Sequence, residues 1–324
     1  MAHLARLLVP LALTATMAVG ALPSAQAAPA AAGDVQVIGT NGTSQLRHTI
    51  RYANGEWQMP WGYLSNIINP TLITSTIING VEHVVWRTQS GHPYQYSYQH
   101  IVRNIDGTWE YAGLPYDPVD GGLTDAQASA DVNGHLALVR KQGNTLRLSI
   151  SRGDLSWSDW ETVPTTGDIG SFAVSGNGSA LRLAVSTADG TQVGVYDRAA
   201  NGTWAAPKWT PFNGGTAKQI SIAQVGADLQ VAAVAQNGGQ ADIWHSILHS
   251  NGRWDQFGYV EGAAGNVPGV YAVAVTASRG TLQLAVETTN FGVYHTIRYA
   301  NGTWQPVGEI PDSEGVHGVT IAGE

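Results

Sequence analysis

Apolar residues come along this chain in short runs broken by glycine, asparagine and proline, and nowhere do they keep a helical spacing for long. Runs of that kind predict strands joined by tight turns. The stretch from 270 to 307 shows it most clearly. Val270-Tyr271-Ala272-Val273-Ala274-Val275 and Thr281-Leu282-Gln283-Leu284-Ala285-Val286 read as strands buried on both faces. Val293-Tyr294-His295-Thr296-Ile297-Arg298-Tyr299 alternates strictly, which puts Val293, His295, Ile297 and Tyr299 on one face. Asn301-Gly302 then predicts a hairpin in which both residues take positive φ. Trp304-Gln305-Pro306-Val307 predicts an outer strand, where Pro306 is tolerated because an edge need not donate every hydrogen bond.

The same pattern recurs along the chain. Ile50-Arg51-Tyr52-Ala53-Asn54-Gly55-Glu56-Trp57 returns nearly unchanged as Ile297 to Trp304, and weaker copies end at Trp109, Trp157, Trp204 and Trp254. Successive repeat tryptophans lie 52, 48, 47, 50 and 50 residues apart. One such hairpin per period predicts an all-β fold, a six-bladed β-propeller of four-stranded antiparallel blades. The innermost strands, such as Ala126-Gln127-Ala128-Ser129-Ala130, Phe172-Ala173-Val174-Ser175 and Ile220-Ser221-Ile222-Ala223, carry small residues, as expected where strands crowd round a channel. Val35-Gln36-Val37-Ile38 enters as the second strand of a unit. Gly315 to Ala322 matches an inner strand with no unit of its own. Pairing the two would close the ring and remove its open edges.

The first residues stand apart from this pattern. His3 and Arg6 precede an apolar stretch from Leu7 to Leu22, followed by Ala25-Gln26-Ala27, the small-X-small pattern of a signal peptidase site. The stretch is too short for a membrane anchor. Residues 1–27 are therefore expected to be a signal peptide and 28–324 a single propeller domain, secreted and monomeric. Cysteine is absent, which excludes disulfides, thiolate catalysis and Cys-ligated zinc. A net charge of −8 with 12% charged residues argues against nucleic acid or a membrane surface as partner.

Candidate chemistry is sparse. His48, His100, His245 and His295 stand nine residues before a repeat tryptophan, and Arg51, Arg103, Arg198 and Arg298 stand six before one. Equivalent positions on different blades cannot converge on one ion, so no metal is expected. The histidines are expected between blades, hydrogen-bonded to backbone, and the repeat tryptophans as packing anchors. The aromatic residues outside the repeat are the better site candidates: Trp61, Tyr63, His92, Tyr94, Tyr116, Asp117, Trp209, Tyr259 and Phe291. They are assigned to loops round the channel mouth, where rings beside polar groups suit a sugar's apolar face and hydroxyls. No Gly-X-Ser-X-Gly, His-Glu-X-X-His or phosphate loop occurs, and no cofactor is expected. Asp117, Asp120, Asp125 and Asp131 could supply a carboxylate pair for glycoside hydrolysis, but the outcome turns on a separation that sequence does not give. The glycosylation sequons at Asn41, Asn177, Asn201 and Asn301 are explained by turn chemistry.

The hairpin Ser151-X-X-Asp154-X-X-Trp157 resembles the Asp-box turn of sialidase-like propellers, with its glycine before the aspartate instead of after it. Residues 28–324 as a whole resemble secreted propeller lectins with a tryptophan-bearing hairpin in each blade, the tachylectin or tectonin type. In plan they are also similar to a secreted bacterial propeller that provokes autolysis of a neutral metalloprotease and is cross-linked by transglutaminase. The first resemblance implies three gathered arginines and a Phe-Arg-Ile-Pro segment, and the segment is absent. The lectin resemblance implies a non-enzymatic binder of cell-wall or surface glycans. The third implies a module meeting a secreted protease or transglutaminase. A sialidase-like hydrolase is the remaining alternative.

Overall fold

Each repeat tryptophan closes a hairpin. Trp57, Trp157, Trp204, Trp254 and Trp304 each pair with the residue six places earlier, and Trp109 pairs with Arg103 in the same way. The structure is a computed structural model that describes residues 33–41, 45–64, 67, 70–89, 96–114, 126–152 and 156–323. The turn itself differs from the expected one. Gly302 N donates to Tyr299 O at 2.9 Å, and Gly302 alone has positive φ there, at 88°. This is a type I turn followed by a left-handed glycine. Asn301 acts through its side chain, whose Oδ1 accepts from Thr303 N at 3.0 Å and Thr303 Oγ1 at 2.8 Å. Asn201 with Thr203 and Asp106 with Thr108 repeat the device. The turn with two positive φ values falls elsewhere, at Asn79-Gly80, Asn133-Gly134 and Arg279-Gly280, between first and second strands.

Among the described residues the strands form six four-stranded antiparallel sheets. The first blade holds β1 (Val35–Thr40), β2 (Leu46–Arg51) and β3 (Gly62–Leu64). The second is β4 (Pro70–Ile78), β5 (Val81–Gln89), β6 (Tyr96–Arg103) and β7 (Trp109–Ala112). The third is β8 (Ala126–Val132), β9 (His135–Gln142), β10 (Thr145–Ile150) and β11 (Glu161–Thr162). The fourth is β12 (Ile169–Asn177), β13 (Ala180–Thr187), β14 (Gln192–Arg198) and β15 (Lys208–Pro211). The fifth is β16 (Thr216–Val225), β17 (Asp228–Asn237), β18 (Gln240–Leu248) and β19 (Gly258–Tyr259), followed by the short helix α1 (Glu261–Ala264). The sixth is β20 (Val270–Ser278), β21 (Thr281–Thr288), β22 (Val293–Arg298) and β23 (Gly308–Glu309).

The last strand, β24 (His317–Gly323), returns to the first blade and pairs antiparallel with β1, from Val35↔Gly323 to Ile38↔Thr320. The ring closes as the sequence pattern required. The segment leading into β24 is fastened to the first blade by side chains. Trp61 Nε1 donates to Pro311 O at 2.8 Å, and Arg47 donates to Asp312 O at 3.0 Å and Glu314 O at 3.2 Å.

The core is divided. Apolar clusters straddle each pair of adjacent blades, as where Val234 and Ile243 of the fifth meet Val273 and Leu284 of the sixth. Small residues on the inner strands do more than avoid crowding. Ser171 Oγ accepts from Ile220 N at 3.1 Å, Ser175 Oγ from Gln224 N at 3.0 Å and Ser221 Oγ from Val275 N at 3.0 Å. A hydroxyl on one inner strand thus satisfies an amide on the next, an amide that would otherwise be a buried orphan.

Candidate functional site

Successive blades meet at a repeated junction. The third strand of one blade carries a histidine whose ring meets the next blade's repeat tryptophan edge-on: His245 and Trp304 at 5.4 Å, His295 and Trp57 at 5.3 Å, His48 and Trp109 at 5.4 Å. The histidines were expected to bond to backbone. Instead Nε2–H donates to a glutamine on the second strand of the same blade: Gln230 at 2.6 Å, Gln283 at 3.0 Å and Gln36 at 2.8 Å. His100 alone of the four bonds a carbonyl, Gly113 O at 3.0 Å. Burial pushes His245, His295 and His48 down to about 3, and Arg298, Arg51 and Arg103 beside them act in the same direction. Each of the three is therefore a neutral ring near pH 7.

That base belongs to three junctions, since Leu148 and Val195 stand where the histidine does in the third and fourth blades, and the junctions differ further at the fourth-strand residue opposite that position. That residue is Glu161 opposite Leu148, Lys208 opposite Val195, Gly258 opposite His245 and Gly308 opposite His295. Between the third and fourth blades the Glu161 carboxylate fills the junction. It accepts from Arg198 Nε at 2.8 Å and Nη2 at 3.0 Å, and from Trp204 Nε1 at 3.2 Å. Between the fifth and sixth blades glycine leaves that space open. A Cβ built on Gly258 would meet nothing within 4 Å. The result is a cleft of about 200 Å³ lined by His245, Asp255, Tyr259, Arg298 and Trp304 among others.

The cleft offers hydrogen-bond donors and aromatic surface. Burial pulls Arg298 below the usual guanidinium range, with Asp255 opposing the shift. Asp255 is itself engaged, by His249 Nε2 at 3.0 Å and Arg253 Nη1 at 2.6 Å. Among the described residues Asp255 is the only carboxylate lining this cleft, so no carboxylate pair faces across it. No group of three or more His, Asp or Glu side chains among the described residues is placed to hold a metal ion.

The aromatic candidates separate by placement. Tyr63, Tyr259 and Phe291 are 65%, 44% and 50% exposed. Trp61 is buried at the first-blade fastening, and Arg47 lies 5.3 Å over its ring. Trp209 is half-buried, edge-on to Tyr196 at 6.5 Å. Trp209 and Tyr259 lie on the short outer strands β15 and β19, Tyr63 on β3 and Trp61 just before it, while Phe291 occupies the turn between β21 and β22. The five are spread round the ring and do not form one cluster. His92, Tyr94, Tyr116 and Asp117 lie outside the described residues, as do Asp120, Asp125 and Asp154. Asp131 Oδ1 accepts from Gly134 N at 2.8 Å and so serves a turn. Sequence reasoning passed over Gly258, although the fourth residue after a repeat tryptophan reads Glu161, Lys208, Gly258 and Gly308 in four successive blades.

These features define a six-bladed propeller whose blades enclose donor-rich junctions. Solved structures share that fold. An Aleuria aurantia lectin mutant in complex with alpha-methyl-L-fucoside is 12% identical, with 89% of this chain and 98% of that one covered at a TM-score of 0.56. AofleA from Arthrobotrys oligospora is 12% identical, with 90% of each chain covered at 0.56. The protein YjhT is 11% identical, with 88% and 97% covered at 0.55. At such identities the likeness is one of fold. No protein-family model and no curated protein matches the sequence.

Proposed function

We propose that the protein is an exported, non-enzymatic, lectin-like propeller that binds glycans of a cell wall or neighbouring surface. The observation that carries this reading is the cleft between the fifth and sixth blades, where Arg298 and Trp304 present donors beside the exposed Tyr259 ring. A pyranose has an apolar face for an aromatic ring and hydroxyls for fixed donors, and small-ligand sites combine those two kinds of group. Tyr63 and Phe291 add exposed rings on other blades. Solved lectins of the same fold, one of them in complex with a fucoside, support the reading. The pattern of residues 1–27 supports export.

The test is a glycan array probed with labelled protein, beside capture from culture supernatant. Saturable binding to a defined glycan set, weakened at least tenfold by Tyr259→Ala with an unchanged melt, is the expected result. A blank array together with glycan-independent capture of a secreted protein would replace the reading with that of an interaction module. Turnover of aryl glycosides would replace it with a hydrolase.

A further inference from the structure

One junction of this ring contains its own ligand analogue. Glu161 places a carboxylate between blades, held by two guanidinium N–H groups and an indole N–H in a bidentate-plus-one arrangement. The junction between the fifth and sixth blades carries the same arginine and tryptophan without the acid, with His245 in place of Leu148. Arg298 corresponds to Arg198 and Trp304 to Trp204, each arginine pairing with its hairpin tryptophan. The two arginines lie alike across their hairpins: Nη2 is 3.3 Å from where a Cβ would stand on Gly202, and 3.5 Å from the same point on Gly302. Yet Gly258 stands where Glu161 stands, with open space in front of it. Among the described residues Arg298 forms no ion pair and Trp304 Nε1 no hydrogen bond, the nearby Asp255 being paired with His249 and Arg253.

We infer that this cleft is a carboxylate-binding subsite for an acidic sugar, the ligand supplying from outside the group that Glu161 supplies from within. The inference rests on the glycan reading above and names the ligand's chemical class. A uronic acid suits the cleft because its carboxylate can meet the Arg298 fork while its ring lies beside Tyr259. The one acid in the lining, Asp255, is held by His249 and Arg253 and acts on Arg298 through its charge alone, without an ion pair. The buried His245 behind the fork is neutral and adds no competing charge. The next junction repeats the set as Arg51, Trp57, His295 and Gly308, with Gln305 in place of Asp255. Gly308 likewise faces open space. Two adjacent subsites would let one acidic polymer bind with effective concentration on its side.

The experiment titrates the purified protein with sodium D-glucuronate, with D-glucose and with sodium acetate, reading the Trp304 indole N–H in proton–nitrogen NMR spectra. Glucuronate is expected to shift that signal saturably, and glucose and acetate at equal concentration to leave it in place. Gly258→Glu should place an internal carboxylate in the cleft and abolish the response while the melting temperature holds or rises. Arg298→Gln should weaken it at least tenfold. A silent Trp304 signal, an equal response to glucose, or a response that survives in Gly258→Glu would overturn the inference. If neutral glycans still bind on the array in that event, the glycan reading stands and only the acidic subsite falls. Acetate acting as well as glucuronate would show an anion site that does not read sugar, and would also overturn it.

Discussion

Removing residues 315–324 should abolish cooperative folding. The segment supplies the inner strand of the first blade, and Val316 and Ile321 within it are buried at 0% and 4% exposure. Losing two such side chains and the ladder between β1 and β24 removes about 7–10 kcal/mol, at about 1.5–3 kcal/mol per large aliphatic and about 1 kcal/mol per hydrogen bond. That is comparable with the about 5–15 kcal/mol that holds a whole domain together. The deletion also uncovers Val35 and Val37 and creates two open sheet edges. Ile321→Ala provides a graded control, with an expected loss of about 2–4 kcal/mol. Urea titration followed by near-ultraviolet circular dichroism would measure both. A truncated chain that melts at the temperature of the full chain, with the same cooperativity, would refute the closure.

Trp304→Ala should destabilise by about 2–4 kcal/mol because the ring is wedged between blades, whereas Tyr63→Ala, at an exposed outer strand, should change stability by less than about 0.5 kcal/mol; thermal denaturation of both checks this. Glu161→Gln should lower stability by about 1–2 kcal/mol in urea titrations, because Arg198 loses a charged partner in a half-exposed site. Stability should fall on acidification from about pH 6.5 towards 3. His245 and His295 are neutral in the folded chain down to about 3 but take up protons near 6.5 when unfolded, so the unfolded state binds more protons in that window. Each contributes about 1.4 kcal/mol per pH unit there, and replacing both with glutamine should flatten the acid limb of a melting-temperature profile.

The fold could be read from the sequence because its signals are local and repeated. A turn such as Asn301-Gly302-Thr303 announces itself within a few residues, and six copies fix the blade count by spacing alone. The unmatched strands at Val35 and His317 implied their own pairing. What the pattern hid lies between blades, where contacts join residues roughly fifty positions apart. Nothing in the alternation around Ile220 reveals that its amide needs Ser171, or that His245 is served by Gln230 instead of a carbonyl. The outer strands pair over as few as two residues, too short for alternation to show, so Trp209 and Tyr259 read as loops round the channel although they belong to β15 and β19.

The site depends on that same hidden layer. A propeller repeats its scaffold by necessity, since every blade must present a matching face to the next. Function can differ between blades only where a junction tolerates change without loosening the ring. The fourth position after the repeat tryptophan in the last four blades is such a place. It lies on an outer edge strand, opposite the third-strand residue that is His245 or His295 in the open junctions and Leu148 or Val195 in the others. Glutamate there completes an internal ion pair, lysine reaches Asp197 on its own blade at 2.5 Å, and glycine leaves the arginine and tryptophan of the next blade facing open space. One scaffold thus yields a junction filled by Glu161 and open ones at Gly258 and Gly308. A ring that needed every junction sealed for stability would not carry glycine at both 258 and 308. The two open junctions are adjacent, and they are where a search for ligand should begin.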